Sequence, residues 1–372
     1  MAESKTTQPR AYWIDAVRSI ACIFVIANHV VMPTMPKGTG MNIFNHYTMA
    51  GASILFFMIS GALVLYKPKP AIPFLKRRLN RVVLPMVTWT LVSLLIDKFT
   101  TSLTWEAFFT KVMLIPFAPQ QGIYWFIYAI FGIYLLTPIL ATWLQNTSKR
   151  ELQFYLLVWA FTLTIPYLTH IHKDIRALID HQNGVVYYFW GYLWAAVMGY
   201  YLRKYVNVSR FKPWHIAAIV GIIATPFALH YFSSLPVRTI GHRLSLPTMA
   251  LSACYFIIIK HIPLKQKAER IFYNFAEHSF GIYLLHIYII RHGLWPLFQE
   301  WALPTAIAIP LLVITGATAS YLAVALLSHL PKSKYIVGIL SPPPFVKVIL
   351  CSGEMWGAFL VEVFHSWSDI FL

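Results

Sequence analysis

Long apolar runs separated by short polar, mostly basic, clusters recur from one end of the chain to the other. Ten of them have the length needed to cross a bilayer as a helix, near residues 14–32, 48–66, 82–98, 123–144, 151–169, 184–202, 214–232, 244–260, 271–290 and 304–328. Runs of this length make the fold class all-α: a polytopic membrane protein with about ten transmembrane helices. Residues 14–330 form the transmembrane domain, with a polar N-terminal segment over 1–13. A tail over 331–372 has no assigned role; in it "SPPP" breaks the chain ahead of an apolar stretch carrying Glu354, Glu362, His365 and Asp369. That stretch reads as surface-lying. Between the third and fourth spans, "TWEAFFTKVMLIPFAPQQG" reads as a short interfacial or re-entrant helix.

Composition strengthens this picture. Of the 372 residues 58% are hydrophobic and 12% charged, and mean hydropathy is +0.61, against about half apolar and a quarter charged in a soluble domain. The net charge of +17 does not lie on one soluble face, so nucleic acid is not the expected partner; membrane lipid is. With the N-terminus placed in the cytoplasm, twenty lysines and arginines fall on inner segments and eight on outer loops. This asymmetry predicts that both ends are cytoplasmic. Cys22, Cys254 and Cys351 have no paired spacing, so neither a disulfide framework nor a metal site is expected. No cleavable leader is expected either, because residues 1–11 are polar.

The first span carries more polar chemistry than an anchor needs. In "YWIDAVRSIACIFVIANHV", Arg18 and His29 are eleven residues apart, which returns them to one helical stripe about 16 Å apart along the axis. Asp15, three residues before Arg18, reaches it on the same face. Snorkelling explains Arg18 and a hydrogen-bonded interior position explains His29, but ionisable groups inside a membrane are costly enough to make function a competing account. In "FLKRRLNRVVLP", Arg78 and Arg81 are neighbours at the start of the third span. A positive-inside anchor and a phosphate clamp both fit that pair. Trp125, at the outer start of the fourth span, fits an aromatic belt. In "HSFGIYLLH", Ser279, Tyr283 and His286 share one helical face.

Taken in order, these segments resemble the acyltransferase-3 family of bacterial integral membrane acyltransferases. "IDAVRSIACIFVIANH" resembles its opening arginine and histidine through Arg18 and His29, and "FFMISGALV" its second-span pattern through Phe57, Ser60 and Gly61. "RRLNRVVLP" resembles its RxxR signature through Arg78, Arg81 and Pro85, and "SFGIYLLH" its late signature through Tyr283 and His286. "YWFIYAIFGIYLLTPIL" is similar to members that modify polysaccharides. The resemblance runs from about residue 12 to Gly338, leaves the tail beyond uninterpreted, and corresponds to a stand-alone member.

The resemblance implies an O-acetyltransferase of the bacterial inner membrane. Such an enzyme moves an acyl group, by family habit acetyl, from cytoplasmic acetyl-CoA to a hydroxyl of a cell-envelope glycan or lipid-linked sugar. Acetyl-CoA is a co-substrate there, with no resident cofactor. His29 is the expected general base, grouped with Asp15 and Arg18 as catalytic residues. Arg78 and Arg81, with Arg18 assisting, are expected to hold the CoA phosphates. Ser60, Trp125, Tyr283 and His286 are expected to line the site. These arginines and this histidine are expected to face one common cavity. The alternative is a transporter or exporter of a polar molecule, since intramembrane Asp, Arg and His also suit a permeation path.

Overall fold

The structure, a computed structural model, describes residues 11–338 apart from 33, 34, 102 and 210. It is helical, with no strand among the described residues. The predicted tail beyond Gly338 and the N-terminal segment before Ala11 lie outside the described residues.

The first helix, α1 (Tyr12–His29), contains no Gly or Pro and stands at the centre. It packs against α2 (Thr39–Gly51), α3 (Ser53–Val64), α14 (Leu246–His261), α15 (Gln266–Tyr288) and α17 (Thr305–Leu327). Only a bend at Ala52 separates α2 from α3, making one rod over 39–64. This span therefore starts nine residues before the predicted 48. Its first half carries Asn42, Asn45 and His46, which hydropathy reads as loop.

The third span is also longer than predicted. The helix α4 (Ala71–Arg78), a π-helical turn over Leu79–Val83 and α5 (Leu84–Thr100) form one continuous rod. A proline ring collides with the carbonyl four residues back and donates no hydrogen bond. For Pro85 that carbonyl belongs to Arg81, and the wider π turn relieves the conflict. The same device recurs over Ile289–Leu294, between α15 and α16 (Trp295–Glu300), just ahead of Pro296.

The outer segment over 99–122 contains the expected short helix, α6 (Trp105–Leu114), started by Thr104 Oγ1 accepting from the Ala107 N–H at 3.2 Å. Then come α7 (Trp125–Asn146) and α8 (Lys149–Thr162). Ser148 Oγ caps α8 by accepting from the Glu151 N–H at 3.1 Å, as an S-x-x-E sequence predicts. Single turns follow as α9 (Ile165–Leu168) and α10 (Ala177–Asp180). The predicted span over 184–202 is corrected here. Its first half is a 3₁₀ turn and irregular chain, and its helix is α11 (Leu193–Tyr205), of 13 residues. Aromatic residues 187–192 made the run look like one apolar helix although Gly191 sits at φ +122°, a conformation that interrupts it. The remaining elements are α12 (Pro213–Phe232) and the single turn α13 (Val237–Ile240).

Among the described residues, six helical segments are long and apolar enough to cross a membrane: 39–64, 71–100, 122–146, 149–168, 213–232 and 305–327. The helices α1, α11, α14 and α15 are shorter or more polar.

Two pairings set the interior. Against α3, α11 runs antiparallel at backbone contact: a Cβ on Gly61 would lie 1.7 Å from the Ala196 carbonyl oxygen, and one on Gly199 1.9 Å from that of Met58. Small residues permit such approaches between helices in lipid. Against α1, α15 runs parallel. Ser19 Oγ donates to the Phe272 carbonyl at 2.9 Å and Cys22 Sγ to that of Ser279 at 3.7 Å, while His29 meets His286 at 3.0 Å.

Candidate functional site

At the end of the bundle that the charge asymmetry predicts to be inner, a cavity of about 170 Å³ is bounded by Arg18 of α1, Ser60 of α3, Arg78 and Arg81 of the third rod, Tyr134 of α7 and Glu277 and Tyr283 of α15. Arg18 is half-buried, with the charges of Asp15, Glu277 and Arg81 acting on it. Asp15 is buried. The Arg78 guanidinium lies beside two mutually perpendicular rings, 5.3 Å from the Phe74 centroid and 4.8 Å from that of Tyr134. Cation–π contact with both rings holds the guanidinium in place. Ser60 Oγ lies 3.5 Å from the Tyr134 hydroxyl.

Arg78 and Arg81 also line a second cleft of about 390 Å³, with Lys69, Arg77, Asn80 and Lys334. The π turn therefore carries the wall shared by both spaces. Burial, then the charges of Arg78 and Arg77, hold the Lys69 amine below the ordinary lysine range. Part of the predicted tail belongs to this region. The Trp89 indole N–H donates to the Ile336 carbonyl at 2.8 Å and Arg81 Nε to that of Gly338 at 3.3 Å, so residues 333–338 close the inner rim. Crowding of like charge around an open cleft is the electrostatic form of an anion site.

Further out on α1 the two histidines meet. The Nδ1 of His286 faces only acceptors, the carbonyls of Tyr283 at 2.8 Å and Ile282 at 3.2 Å. In the neutral imidazole that nitrogen carries the proton, which leaves Nε2 as an acceptor. His29 Nδ1 lies 3.0 Å from that Nε2 and 2.9 Å from the Val25 carbonyl. Two acceptors assign the proton to His29 Nδ1 as well, so His29 Nε2 carries an open lone pair. This tautomer chain leaves a base at one defined atom.

The sequence-predicted residues thus divide. Arg18, Ser60, Arg78, Arg81 and Tyr283 meet at the inner cavity. Arg18 stands about 16 Å along α1 from His29, and Asp15 about 21 Å. His29 and His286 do not line the inner cavity, so the expected single cavity is corrected. Phe56, Phe126 and Tyr283 pack ring against ring between α3, α7 and α15, at 6.0 and 5.8 Å, and fill the space between. Tyr283 touches both sides: it lines the cavity, its ring is 6.0 Å from that of His286, and its hydroxyl donates to the Ile123 carbonyl. Trp125 does not line the inner cavity. It packs on Tyr192 at 5.3 Å and under the Arg243 guanidinium at 5.0 Å.

Glu277, Tyr134 and Lys334 are site residues that sequence reasoning did not assign to the site, and Phe126, which the sequence offers only as part of an aromatic belt beside Trp125, is another. Glu277 alone gave a signal, as an acid interrupting an apolar run.

Comparison with known proteins places the chain in a family. YfiQ of Bacillus subtilis (strain 168), by name only a membrane-bound acyltransferase, is 23% identical over 325 residues, covering 80% of this chain and 86% of its own. No solved structure matches the chain. The model of the acyltransferase-3 domain family, described as an acyltransferase domain, matches residues 11–329. That match takes in α1 with its arginine and histidine, both cationic cavities up to the inner rim, and the α15 histidine, and the chain is a member of the acyltransferase-3 family of membrane acyltransferases.

Proposed function

We propose that this protein is an O-acyltransferase of the bacterial cytoplasmic membrane. It takes an acyl group, acetyl in the simplest case, from cytoplasmic acyl-CoA and delivers it to a hydroxyl of a cell-envelope glycan or lipid-linked sugar. The chain crosses the membrane ten times with both ends in the cytoplasm, in keeping with its basic inner segments. The carrying observation is the combination of a five-cation inner cleft with a tautomer-ordered histidine pair further out on the same central helix.

In this reading the CoA phosphates lie against Arg78 and Arg81, with Lys69, Arg77 and Lys334 around them. Arg18, held by Asp15, extends the positive surface into the inner cavity. The pantetheine arm runs through that cavity past Ser60 and reaches the histidines beside Tyr283, whose ring turns aside to admit it. The acceptor hydroxyl gives its proton to His29 Nε2 as its oxygen attacks the thioester carbonyl. A C–O bond forms, the C–S bond breaks, and the departing thiolate takes the proton back from the imidazolium. His286 accepts from His29 Nδ1 throughout and is a positioning residue. Because a thioester is already activated, alignment of donor and acceptor supplies much of the rate.

The test is release of free CoA from acetyl-CoA by purified protein in lipid nanodiscs. Wild type turns over, and His29→Ala, eluting as folded protein, does not. A wild type that transports a polar solute but never cleaves the thioester would overturn the reading. Labelling of single cysteines in intact cells tests the ten-span orientation.

A further inference from the structure

Beyond the outer end of α1 a separate cavity of about 350 Å³ opens, lined by Asn28, Asn42, Asn45, His46, His230 and Arg243 among others. Asn42, Asn45 and His46 lie on one face of α2, at spacings of three and four. They occupy the half-helix that hydropathy alone reads as loop, so this polar face is built into a membrane rod. That placement is costly unless something polar binds there.

The hydrogen bonds show what is left unused. Thr248 Oγ1 donates to the His242 carbonyl at 3.0 Å and accepts from Ser245 Oγ at 2.9 Å. Its remaining lone pair faces His46 Nε2 at 2.9 Å, so that nitrogen carries the imidazole proton. His46 is 1% exposed, and its Nδ1, now a bare acceptor, has no hydrogen-bond partner among the described residues. Nor has His230 Nε2, on a ring set edge-on to His46 at 5.8 Å. Buried polar atoms are rarely left unpaired. Asn28 spends one amide hydrogen on Thr48 Oγ1 at 3.2 Å.

We propose that this outer cavity binds the acceptor as a hydroxyl-rich sugar ring, held by the Asn42 and Asn45 amides and by His46 Nδ1 accepting from a ring hydroxyl. Amides that donate and accept side by side match vicinal hydroxyls, each of which does the same. Two lining residues tie the site to the proposed base: Asn28 precedes His29 in the chain, and the charge of Arg243 acts on His29. The inference rests on the acyltransferase reading above and adds where, and by what chemistry, the second substrate enters: from the face opposite the CoA cleft.

The experiment separates donor from acceptor in the full-length protein, using acetyl-CoA alone as one probe and the cell's own envelope glycan as the other. With Asn42→Leu and Asn45→Leu combined, and separately with His46→Leu, the KM for acetyl-CoA in thioester hydrolysis stays within twofold of wild type. The acetyl increment on surface glycan, read by mass spectrometry, falls at least tenfold. Asn45→Gln, which keeps the amide, retains more of the increment than Asn45→Leu. Unchanged glycan acetylation, a rise in the acetyl-CoA KM alongside lost acetylation, or a wild-type glycan with no acetyl increment despite active hydrolysis overturns the inference. A wild type that hydrolyses no acetyl-CoA at all instead defeats the enzyme reading on which it rests.

Discussion

His286 Nε2 lies 3.0 Å from His29 Nδ1, joining two helices whose paired residues are 257 positions apart. The contact orders both rings. Carbonyls of α15 hold the proton on His286 Nδ1, and His286 in turn holds the proton on His29 Nδ1. The outcome is a single open lone pair at His29 Nε2.

Losing that orientation is expected to cost catalysis rather than folding. His286→Ala should lower kcat for acetyl-CoA turnover by about 100-fold or more, the usual worth of a positioned acid–base group. His286→Gln can place an amide oxygen near His29 Nδ1 and should recover part of the loss. If Gln and Ala behave alike while the protein remains folded, the relay is not what matters.

Arg78, at the end of α4, and Arg81, in the π turn that follows, should act on the donor. Arg78→Ala and Arg81→Ala each remove a charge-assisted contact worth about 1.5–3 kcal/mol, so the KM for acetyl-CoA should rise roughly ten- to hundredfold with a smaller change in kcat. Arg78→Lys should not restore it fully, because an ammonium cannot present the paired N–H fork of a guanidinium to a phosphate. Wild-type KM values in both alanine variants would return the pair to the role of a membrane anchor.

The inner cleft should also show in the pH dependence of CoA binding. Burial and two arginines push the Lys69 amine downward, so it loses its charge earlier than an ordinary lysine as pH rises. CoA phosphate binds the charged form and raises that value again. Affinity should therefore hold at low pH and weaken as pH climbs through the lowered value of the free protein, with protons taken up on binding. For folding the sign is opposite: between the lowered value and the ordinary one the unfolded chain binds more protons, and stability rises with pH. Calorimetry in two buffers of different ionisation heat measures the uptake. Lys69→Arg, charged throughout, should abolish it, and an equal proton count in both proteins would contradict this assignment.

The α3–α11 contact should be intolerant of a single methyl group. With the Ala196 carbonyl oxygen 1.7 Å from where a Cβ would stand, Gly61→Ala forces the helices apart. Overpacking costs about 1–3 kcal/mol, here measurable as a lower midpoint of thermal aggregation in detergent. Gly132→Ala, where a Cβ meets nothing within 4 Å, is the matched control and should leave the midpoint in place.

Much of the architecture was legible residue by residue. Apolar length located helices at the ten predicted places, because lipid leaves the backbone no other way to satisfy its hydrogen bonds. The eleven-residue spacing of Arg18 and His29, and the pairing of Arg78 with Arg81, follow from helical geometry alone. Failures came where local hydropathy and tertiary setting disagree. Residues 39–47 are polar yet helical, since they wall a cavity. Residues 184–192 are aromatic yet irregular, packed over α3 and α8. Trp125, expected to line the site, instead packs under Arg243.

By itself, then, the sequence determined a helical membrane protein, the clustering of its basic residues between apolar runs, and which polar residues share a face along each single helix. Only the tertiary structure decided that His29 answers to His286, that aromatic rings part the arginines from the histidines, and that α2 turns a polar face to an outer cavity. The reason is physical. Periodicity records which side of one helix avoids lipid, whereas register between helices hundreds of residues apart is set by close packing and hydrogen bonds that exist only once the bundle has assembled.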